Sequence, residues 1–324
     1  MKKLLEVKNL TVGFRFGDKV KYAVNNVSFD IREKEFIGLV GESGCGKSVC
    51  AQTILGIEHP NAVIDGGSVK LMDDEMIGLN EAQWKKYRGR TISMIFQEPM
   101  TALNPLMKVG RQIEEVLMIH FNFPKEKRLE LVYDTMRKAG LRDVENLYNQ
   151  YPHELSGGMR QRIMICISLI ANPKILIADE PTTALDATIQ MQILSLFKEI
   201  EEMYSGGILF ITHDLVLVSR ICERIIVMYA GRIVEDGPTD EIINNPLHPY
   251  TKGLLKAIPS YKKRGEALYN IPGQVPPLKV RSNEGCPFYD RCDHKMDICK
   301  TKFPDPVKKS GVNVYCHLYG GKDE

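Results

Sequence analysis

The fold of this chain is decided by Gly41-Glu42-Ser43-Gly44-Cys45-Gly46-Lys47-Ser48. The stretch matches G-x-x-x-x-G-K-[S/T] in full, and it lies between the apolar run at 36–40 and a helix-compatible segment at 49–55. A strand, a glycine-rich turn and a helix in this order are the context in which the pattern binds phosphate. Backbone N–H groups surround the phosphates, Lys47 adds a positive charge, and Ser48 can ligate Mg²⁺. Because both flanks fit, we favour a site for a nucleoside triphosphate over a glycine-rich turn with a chance lysine.

Two adjacent carboxylates, Asp179 and Glu180, end a second apolar run at 175–178. The carboxyl ends of parallel strands meet at the ligand edge of a sheet, so Asp179 is expected beside the phosphate loop. There it would hold Mg²⁺ directly or through water, and Glu180 would orient or deprotonate the attacking water. Adjacent acids are also common at solvated strand ends. Together with the phosphate loop, the pair indicates hydrolysis.

Composition excludes several classes of protein. The 324 residues are 44% hydrophobic and 26% charged, which is typical of globular proteins and not of disordered or fibrous chains. The net charge of +2 gives no basic field for nucleic acid. No apolar run approaches the length needed to span a bilayer, and the first seven residues lack the apolar core of a secretion signal. We therefore expect a soluble protein that stays where it is made, without a nucleic-acid partner.

The pattern along the chain predicts an α/β domain with a helical insertion. Near-continuous apolar runs at 36–40, 175–178, 208–211 and 225–229 are typical of parallel strands that are buried on both faces. Between about 98 and 160 the periodicity is helical, with a break at Pro124 and a C-terminal glycine at Gly140. We therefore predict a nucleotide-binding domain over 1–245, followed by a proline-rich extension over 246–324.

A further motif narrows the class of nucleotide-binding protein. Leu155-Ser156-Gly157-Gly158 precedes an apolar helical segment, so its N–H groups form another candidate anion site. With this motif the chain resembles the ATP-binding-cassette (ABC) ATPases, over roughly residues 4–245. The resemblance implies a P-loop NTPase core with a parallel sheet, a small antiparallel β-subdomain and a helical insertion, followed here by the cysteine-rich extension. The other marks of that family occur in the expected order, and they are Phe14 as the adenine-stacking aromatic, Gln97 of the Q-loop, Asp186 of the D-loop and His213 of the switch.

The resemblance implies a role for each residue. Ser156, Gly157 and Gly158 would complete the ATP site of a second subunit in a head-to-tail dimer. Gln97 would sense Mg²⁺ and the attacking water, Asp186 would link the two sites, and His213 would contact the γ-phosphate. Taken singly, these residues also fit a surface amide, a helix N-terminal acid and a strand-end histidine. Phe16 and Tyr22 are rivals of Phe14 for adenine.

The extension contains four cysteines with the spacing C-x5-C-x6-C-x16-C, namely Cys286, Cys292, Cys299 and Cys316. In a chain without a secretion signal such a group favours a metal site over disulfides. The wide spacing lacks zinc knuckles, and the stretch from Cys286 to Cys292 resembles the tail of peptide-importer ATPases, some of which carry an iron–sulfur cluster. We therefore expect a structural [4Fe–4S] cluster, with Zn²⁺ and four reduced thiols as alternatives.

The motif forms point to a branch of the family. LSGGMRQR at 155–162, in which Met159 replaces a common glutamine, and the tail 245–259 resemble peptide-importer ATPases. The resemblance implies an ATPase at the cytoplasmic face of the membrane that drives oligopeptide or dipeptide uptake. Its partners would be two membrane permease subunits, a second identical or related ATPase chain and, indirectly, an extracellular peptide-binding protein. The helical insertion, with residues 100–105, would contact the permeases.

Other functions remain as alternatives at this point. A soluble ABC ATPase that acts on DNA or ribosomes would be expected to have a long coiled-coil insertion or two cassettes, and a basic face. An importer ATPase for a related solute such as nickel would share the motifs described above. In an iron–sulfur redox protein, nucleotide would only regulate, and Lys47→Ala would leave the activity largely intact.

Overall fold

The computed structural model describes residues 2–98, 102–183, 186–259 and 269–320. The strands in these ranges are β1 (Lys3–Phe16), β2 (Lys19–Arg32), β3 (Phe36–Val40), β4 (Ala62–Leu71), β5 (Asp74–Glu75), β6 (Ile92–Ile95), β7 (Ile175–Asp179), β8 (Gly207–Thr212), β9 (Arg224–Tyr229), β10 (Arg232–Pro238), β11 (Val307–Lys309) and β12 (Val312–Val314). The helices are α1 (Lys47–Ile54), α2 (Glu81–Trp84), α3 (Val109–His120), α4 (Lys125–Lys138), α5 (Val144–Leu147), α6 (Gly157–Leu169), α7 (Ala187–Met203), α8 (Leu215–Ile221), α9 (Thr239–Asn244), α10 (Pro249–Ala257) and α11 (Asp297–Thr301).

The chain forms two compact units. The first unit comprises Met1–Leu4, Ile31–Phe36 and Gly78–Ile211. The second unit comprises Leu5–Asp30, Ile37–Ile77 and Thr212–Glu324. The proposed boundary at residue 245 stays a prediction.

The first unit is built on the parallel strands β6, β7 and β8. Ile92 pairs with Ile175, and Asp179 pairs with Ile211. These strands are buried throughout and mainly apolar, as the continuous apolar runs predict. Phe197 of α7 packs on Phe210 with ring centroids 5.3 Å apart, which fixes this helix on the sheet.

The helical insertion follows the predicted pattern over its described part. Helices α3, α4 and α6 pack on one another through their apolar faces. Pro124 is the N-cap of α4, and Gly140 has the left-handed backbone (φ 71°) that commonly ends a helix. Over the described residues 102–160 no strand interrupts the helices.

The second unit contains a small antiparallel sheet in the order β2-β1-β4-β5, and the row β3-β9-β10-β12-β11. β3 and β9 are parallel, with Leu39 opposite Ile226. β10 then turns back antiparallel, because Ala230 and Gly231 both have positive φ and form a two-residue hairpin turn. The sheet is therefore mixed, whereas the apolar runs alone indicate parallel strands.

The end of the extension joins this row of strands. β12 pairs with β10, and β11 pairs with β12 across a turn at Ser310 and Gly311. Three-residue strands carry too little periodicity to be predicted from sequence, so this pairing was not expected. Within the described ranges, no helix combines the length and apolar character needed to cross a bilayer.

Candidate nucleotide site

The phosphate loop connects β3 to α1, and two of its glycines, Gly41 and Gly46, leave no room for a side chain. A Cβ on Gly41 would lie 2.1 Å from the carbonyl oxygen of Met228, and one on Gly46 would lie 2.2 Å from that of Ala23. Gly46 also has φ 109°, which L-residues rarely adopt. The loop is therefore an open backbone cradle at a helix N-terminus, which suits an anion.

The lysine of the loop is folded inward. Lys47 is only 4% exposed, and its Nζ donates to the carbonyl oxygens of Gly41 at 2.7 Å and Glu42 at 3.2 Å. Ser48 follows in the first turn of α1, half-buried. Cys45 is buried, which raises the pKa of its thiol. The donor set therefore fits phosphate oxygens at the N–H groups and Lys47, and Mg²⁺ at the Ser48 hydroxyl.

The three aromatic residues considered for adenine lie on β1 and β2. Phe14 is half-buried, and its ring centroid is 6.1 Å from that of His59. Phe16 is 40% exposed at the end of β1. The Tyr22 hydroxyl donates to the Asp65 carboxylate, which raises the pKa of Tyr22. The assignment of Phe14 to adenine stays a prediction.

In the first unit, the acidic pair ends the buried strand β7. Asp179 is buried and pairs with Ile211 of β8. Glu180 has a left-handed backbone (φ 46°), and its N–H donates to the Ile211 carbonyl oxygen at 2.9 Å. A non-glycine residue at positive φ is uncommon and often marks a functional turn. The turn carries the Glu180 side chain out of the strand, a feature that no sequence pattern indicates.

The Glu180 carboxylate accepts hydrogen bonds from the side chains of Gln97 and Thr183. Gln97 Nε2 lies 3.3 Å from Glu180 Oε2, and Thr183 Oγ1 donates to the same oxygen at 2.8 Å. The structure thus brings together Gln97 and Glu180, two of the predicted site residues. Thr183, the first residue of the D-loop stretch at 183–186, is a further contact for which the motif predicts no role.

The Ser-Gly-Gly motif opens α6 as expected. Ser156 is the N-cap, and its hydroxyl accepts from the Met159 N–H at 3.3 Å. Ser156 and Gly157 are exposed, so their N–H groups face solvent at the helix N-terminus. Gly158 packs closely, since a Cβ there would lie 3.0 Å from Ile189 Cγ2.

The remaining predicted residues lie at helix starts and strand ends. Asp186 caps α7 and accepts from the N–H groups of Thr188 and Ile189, both at 3.0 Å. Its neighbours Ala184 and Leu185 lie outside the described residues. His213 follows β8 directly and is exposed in the second unit.

The four cysteines of the extension line one small cavity. Cys286, Cys292, Cys299 and Cys316 all face it, and all four are free thiols. Burial raises the pKa of Cys286 to about 12 and also raises the pKa of Cys292 and Cys316. A thiol must lose its proton to bind a metal, so burial opposes binding in this arrangement.

The predicted metal site is not assembled in this structure. Among the described residues, no group of three or more His, Cys, Asp or Glu side chains is arranged to hold a metal ion. The expectations of a [4Fe–4S] cluster and of the alternative Zn²⁺ are therefore unsupported here, although the four thiols converge.

A phosphate loop at a helix N-terminus, an acidic strand end and a serine-capped Gly-Gly helix together define an ATP-binding-cassette ATPase. The model of the family described as "ABC transporter" matches residues 24–183, and that described as "Oligopeptide/dipeptide transporter, C-terminal region" matches residues 234–299. This chain belongs to the ABC transporter family, in the branch of oligopeptide and dipeptide transport ATP-binding proteins.

Three relatives support the assignment over nearly the whole chain. The oligopeptide transport ATP-binding protein OppD of Escherichia coli (strain K12) is 46% identical, with 93% of this chain and 89% of the relative covered. AppD, the oligopeptide transport ATP-binding protein of Bacillus subtilis (strain 168), is 46% identical with 98% of each covered. The dipeptide transport ATP-binding protein DppD of the same organism is 43% identical, covering 100% of this chain and 97% of the relative.

Solved structures agree on the cassette. The ATP-binding cassette MJ0796, solved as a dimer in a post-hydrolysis state with ADP and Pi, has a TM-score of 0.65 and 29% identity. It covers 72% of this chain and 98% of its own length. The remainder of this chain thus extends beyond that cassette.

Proposed function

We propose that this chain is the ATP-hydrolysing subunit of an importer for oligopeptides or dipeptides. The observation that carries the proposal is the glycine cradle with an inward Lys47, in a chain that is 43–46% identical to peptide transport ATP-binding proteins. ATP binding and hydrolysis supply the free energy for uptake through separate membrane permease subunits. The relatives are named as oligopeptide or dipeptide transport ATP-binding proteins, which disfavours the alternatives of DNA, ribosomes and nickel.

Within that function, each predicted residue has a chemical role. The N–H groups of residues 41–48 and the Lys47 ammonium bind the phosphates. Ser48, Asp179 and Gln97 would hold Mg²⁺, which neutralises the charge that develops on the transferred phosphoryl group. Glu180 accepts the proton of the attacking water. Phe14 would stack on adenine, and His213 would contact the γ-phosphate.

The exposed N-terminus of α6 supports a second proposal, that two ATPase chains share their sites. Ser156 and Gly157 are exposed at the start of α6, and Gly158 follows them, so a phosphate from a second chain is a ligand that suits the N–H groups there. Asp186 would communicate between the sites. The similar cassette MJ0796 was solved as a dimer, which supports a dimeric arrangement for this chain as well. The second chain is identical or closely related.

The helical insertion offers a surface for the permeases. Leu106 is 87% exposed, and the adjacent residues Met118 and Ile119 are 44% and 66% exposed. Large apolar side chains at such exposure are candidates for contact with a partner. Residues 102–105 of the proposed coupling segment are described, whereas Met100 and Thr101 lie outside the described residues. Docking there would place the chain peripherally, at the cytoplasmic face of the membrane.

We further propose that the four cysteines of the extension hold a metal centre, with [4Fe–4S] favoured over Zn²⁺. Support comes from their convergence on one cavity and from backbone donors to sulfur. The His294 N–H donates to Cys292 Sγ at 3.4 Å. Burial raises the pKa of Cys286 and Cys316, and the N–H groups of Phe288 and Leu318 act in the opposite direction. Such donors stabilise metal-bound thiolates.

Transport is tested on the assembled complex in vesicles, with the permeases and the partner ATPase. Lys47→Ala should abolish ATP-dependent uptake of a dipeptide or a short oligopeptide, because the phosphates lose their cation. Ser156→Arg should also abolish hydrolysis in the complex, yet leave MgATP binding by the purified chain unchanged. Full hydrolysis by the Ser156→Arg complex would show that the two chains do not share their sites.

The metal centre is tested by anaerobic purification, metal and sulfide analysis and visible absorption. A cluster requires iron and sulfide at about four each per chain. Cys292→Ala should lose both, whereas Cys166→Ala, a matched buried thiol outside the four, should keep them. One zinc per chain without colour would contradict the cluster.

A further inference from the structure

Three side chains of the C-terminal extension contact the phosphate loop, and we name Tyr250, Arg281 and Arg291 the loop clasp. The Glu42 N–H donates to the Tyr250 hydroxyl oxygen at 2.9 Å. Arg281 Nη2 donates to the Gly44 carbonyl oxygen at 2.6 Å. Arg291 binds the Glu42 carboxylate with two nitrogens, at 2.7 and 3.2 Å. The extension therefore reaches both the backbone and the side chain of the loop.

The two arginines are fixed by the proline-rich segment of the extension. Arg281 Nε donates to the Pro276 carbonyl oxygen at 2.9 Å, and Arg291 Nε donates to that of Pro272 at 2.8 Å. Proline restricts the backbone of this segment, so its carbonyl groups form a stiff anchor. Two carbonyl groups of the proline-rich extension thus hold the clasp in place.

Aromatic packing adds to this anchor. The Arg291 guanidinium carbon lies 5.7 Å from the ring centroid of Tyr229 and 5.9 Å from that of Phe288. Tyr229 packs in turn on Tyr250, with ring centroids 4.6 Å apart. Tyr250 is fully buried, and the Arg291 side chain is only 5% exposed. A guanidinium that is desolvated and stacked in this way has one preferred position.

The ion pair between Arg291 and Glu42 affects how the loop can bind an anionic ligand. Glu42 is part of a loop that must accept a highly anionic triphosphate, and an unpaired carboxylate there would repel it. Arg291 cancels that charge with a bidentate pair, which is the geometry in which arginine binds carboxylates most specifically. At the same time, Arg281 and Tyr250 hold the loop backbone on both sides of Ser43.

We propose that the loop clasp sets the charge and shape of the phosphate loop, so that the affinity for MgATP depends on the C-terminal extension. Arg291 is a positioning residue that acts through Glu42 and does not touch the nucleotide. This proposal rests on nucleotide binding at residues 41–48, as proposed above, and it is independent of what the four cysteines hold.

The test is an equilibrium titration of the full chain with MgATP, accompanied by thermal unfolding. Arg291→Gln leaves the negative charge of Glu42 without its cation. The Kd for MgATP should therefore rise at least about fivefold, a typical coupling between sites. Glu42→Gln combined with Arg291→Gln removes both charges and keeps an amide pair, so its Kd should return to within about twofold of the original. Lys300→Ala, at an exposed cation of the extension, is the matched control.

The rescue separates positioning from a general loss of stability. Unchanged affinity in Arg291→Gln, or equally weak binding in the double variant, would overturn the proposal. If Arg291→Gln does not fold, Arg291→Lys decides, because it keeps the charge and loses the fork. Its Kd should rise about threefold at an unchanged unfolding midpoint, and an unchanged Kd would count against the clasp. Lys47→Ala tests the proposed nucleotide binding separately. That proposal, and not the loop clasp, is contradicted if the Lys47→Ala variant still binds MgATP with the original Kd.

Discussion

Two glutamates of the first unit, Glu114 and Glu180, have the same side chain in different surroundings, one in a structural network and the other at the proposed catalytic position. Glu114 is 1% exposed in α3, and its carboxylate accepts from Arg111 at 2.7 Å, Arg128 at 2.8 Å and the Tyr148 hydroxyl at 2.7 Å. Glu180 is half-buried at a strand end and accepts from the neutral groups of Gln97 and Thr183.

The donors decide whether the carboxylate can react. Burial by itself would raise the pKa of Glu114, but the bonds from Tyr148, Arg128 and Arg111 together lower it. A carboxylate stabilised in this way is a poor acceptor for a proton from water and serves to join helices. The hydrogen bonds from Gln97 and Thr183 orient the Glu180 carboxylate and bring no charge of their own, which suits the role of base that we propose for Glu180.

The largest expected effect comes from Glu180→Gln. The amide keeps the size of the side chain but cannot accept a proton, so turnover of ATP should fall by about a hundredfold or more. The Kd for MgATP and the unfolding midpoint should stay close to those of the unmodified chain. Glu199→Gln, at an exposed position on α7, is the control in the same assays. Normal turnover by Glu180→Gln would remove this residue from the role of base.

The next effect is on stability. Glu114→Gln leaves two arginines without their buried anion, and it should cost about 2–4 kcal/mol in the free energy of unfolding. Turnover per folded molecule should not change, because Glu114 holds helices and does not meet the substrate. Denaturant unfolding measures the loss. The control is Glu130→Gln, whose surface pair with Lys127 should contribute less than about 1 kcal/mol.

The contrast between the two glutamates also shows what sequence can predict. The buried strands β3 and β7 follow from continuous apolar runs, and the phosphate loop and Ser156 cap follow from motif spacing. These signals are local. The Glu114 network joins residues that are 14 and 34 positions apart, and nothing in the periodicity of α3 separates Glu114 from the exposed Glu115.

The same limit applies to the sites themselves. The positive φ of Glu180 depends on how the chain leaves β7, and the pair between Arg291 and Glu42 spans 249 residues. For the four cysteines, spacing indicated a metal site, yet the structure shows convergence without an assembled site. The spacing of cysteines along the chain indicates which thiols can come together. It does not indicate whether their burial allows the thiolate form that binds a metal.

A smaller effect is the pH dependence of the stability that Glu114 contributes. The pKa of Glu114 is lower in the folded chain than its ordinary value of 4.5, so its stabilisation is present above that value and is lost as pH falls through the folded pKa. The difference in unfolding free energy between the original chain and Glu114→Gln should therefore shrink below about pH 4.5. Denaturant titrations from pH 6 downward measure it, and a constant difference would contradict the lowered pKa.

The smallest effect concerns the hydroxyl that orients Glu180. Thr183→Val keeps the shape of the side chain and removes the 2.8 Å bond to Glu180 Oε2, so the carboxylate gains rotational freedom. One neutral hydrogen bond contributes about 0.5–1.5 kcal/mol, and turnover should therefore fall roughly two- to tenfold. The Kd for MgATP should not change, since Thr183 acts through Glu180.

Thr183→Ser restores the hydroxyl and should restore turnover, which a loss of packing alone would not explain. Thr188→Val, at an exposed threonine of α7, controls for the substitution itself. If Thr183→Val hydrolyses ATP at the original rate, the bond does not orient the base. The positive φ of Glu180 and the contact with Gln97 would then be sufficient to place the carboxylate, and the difference from Glu114 would lie in the backbone more than in the donors.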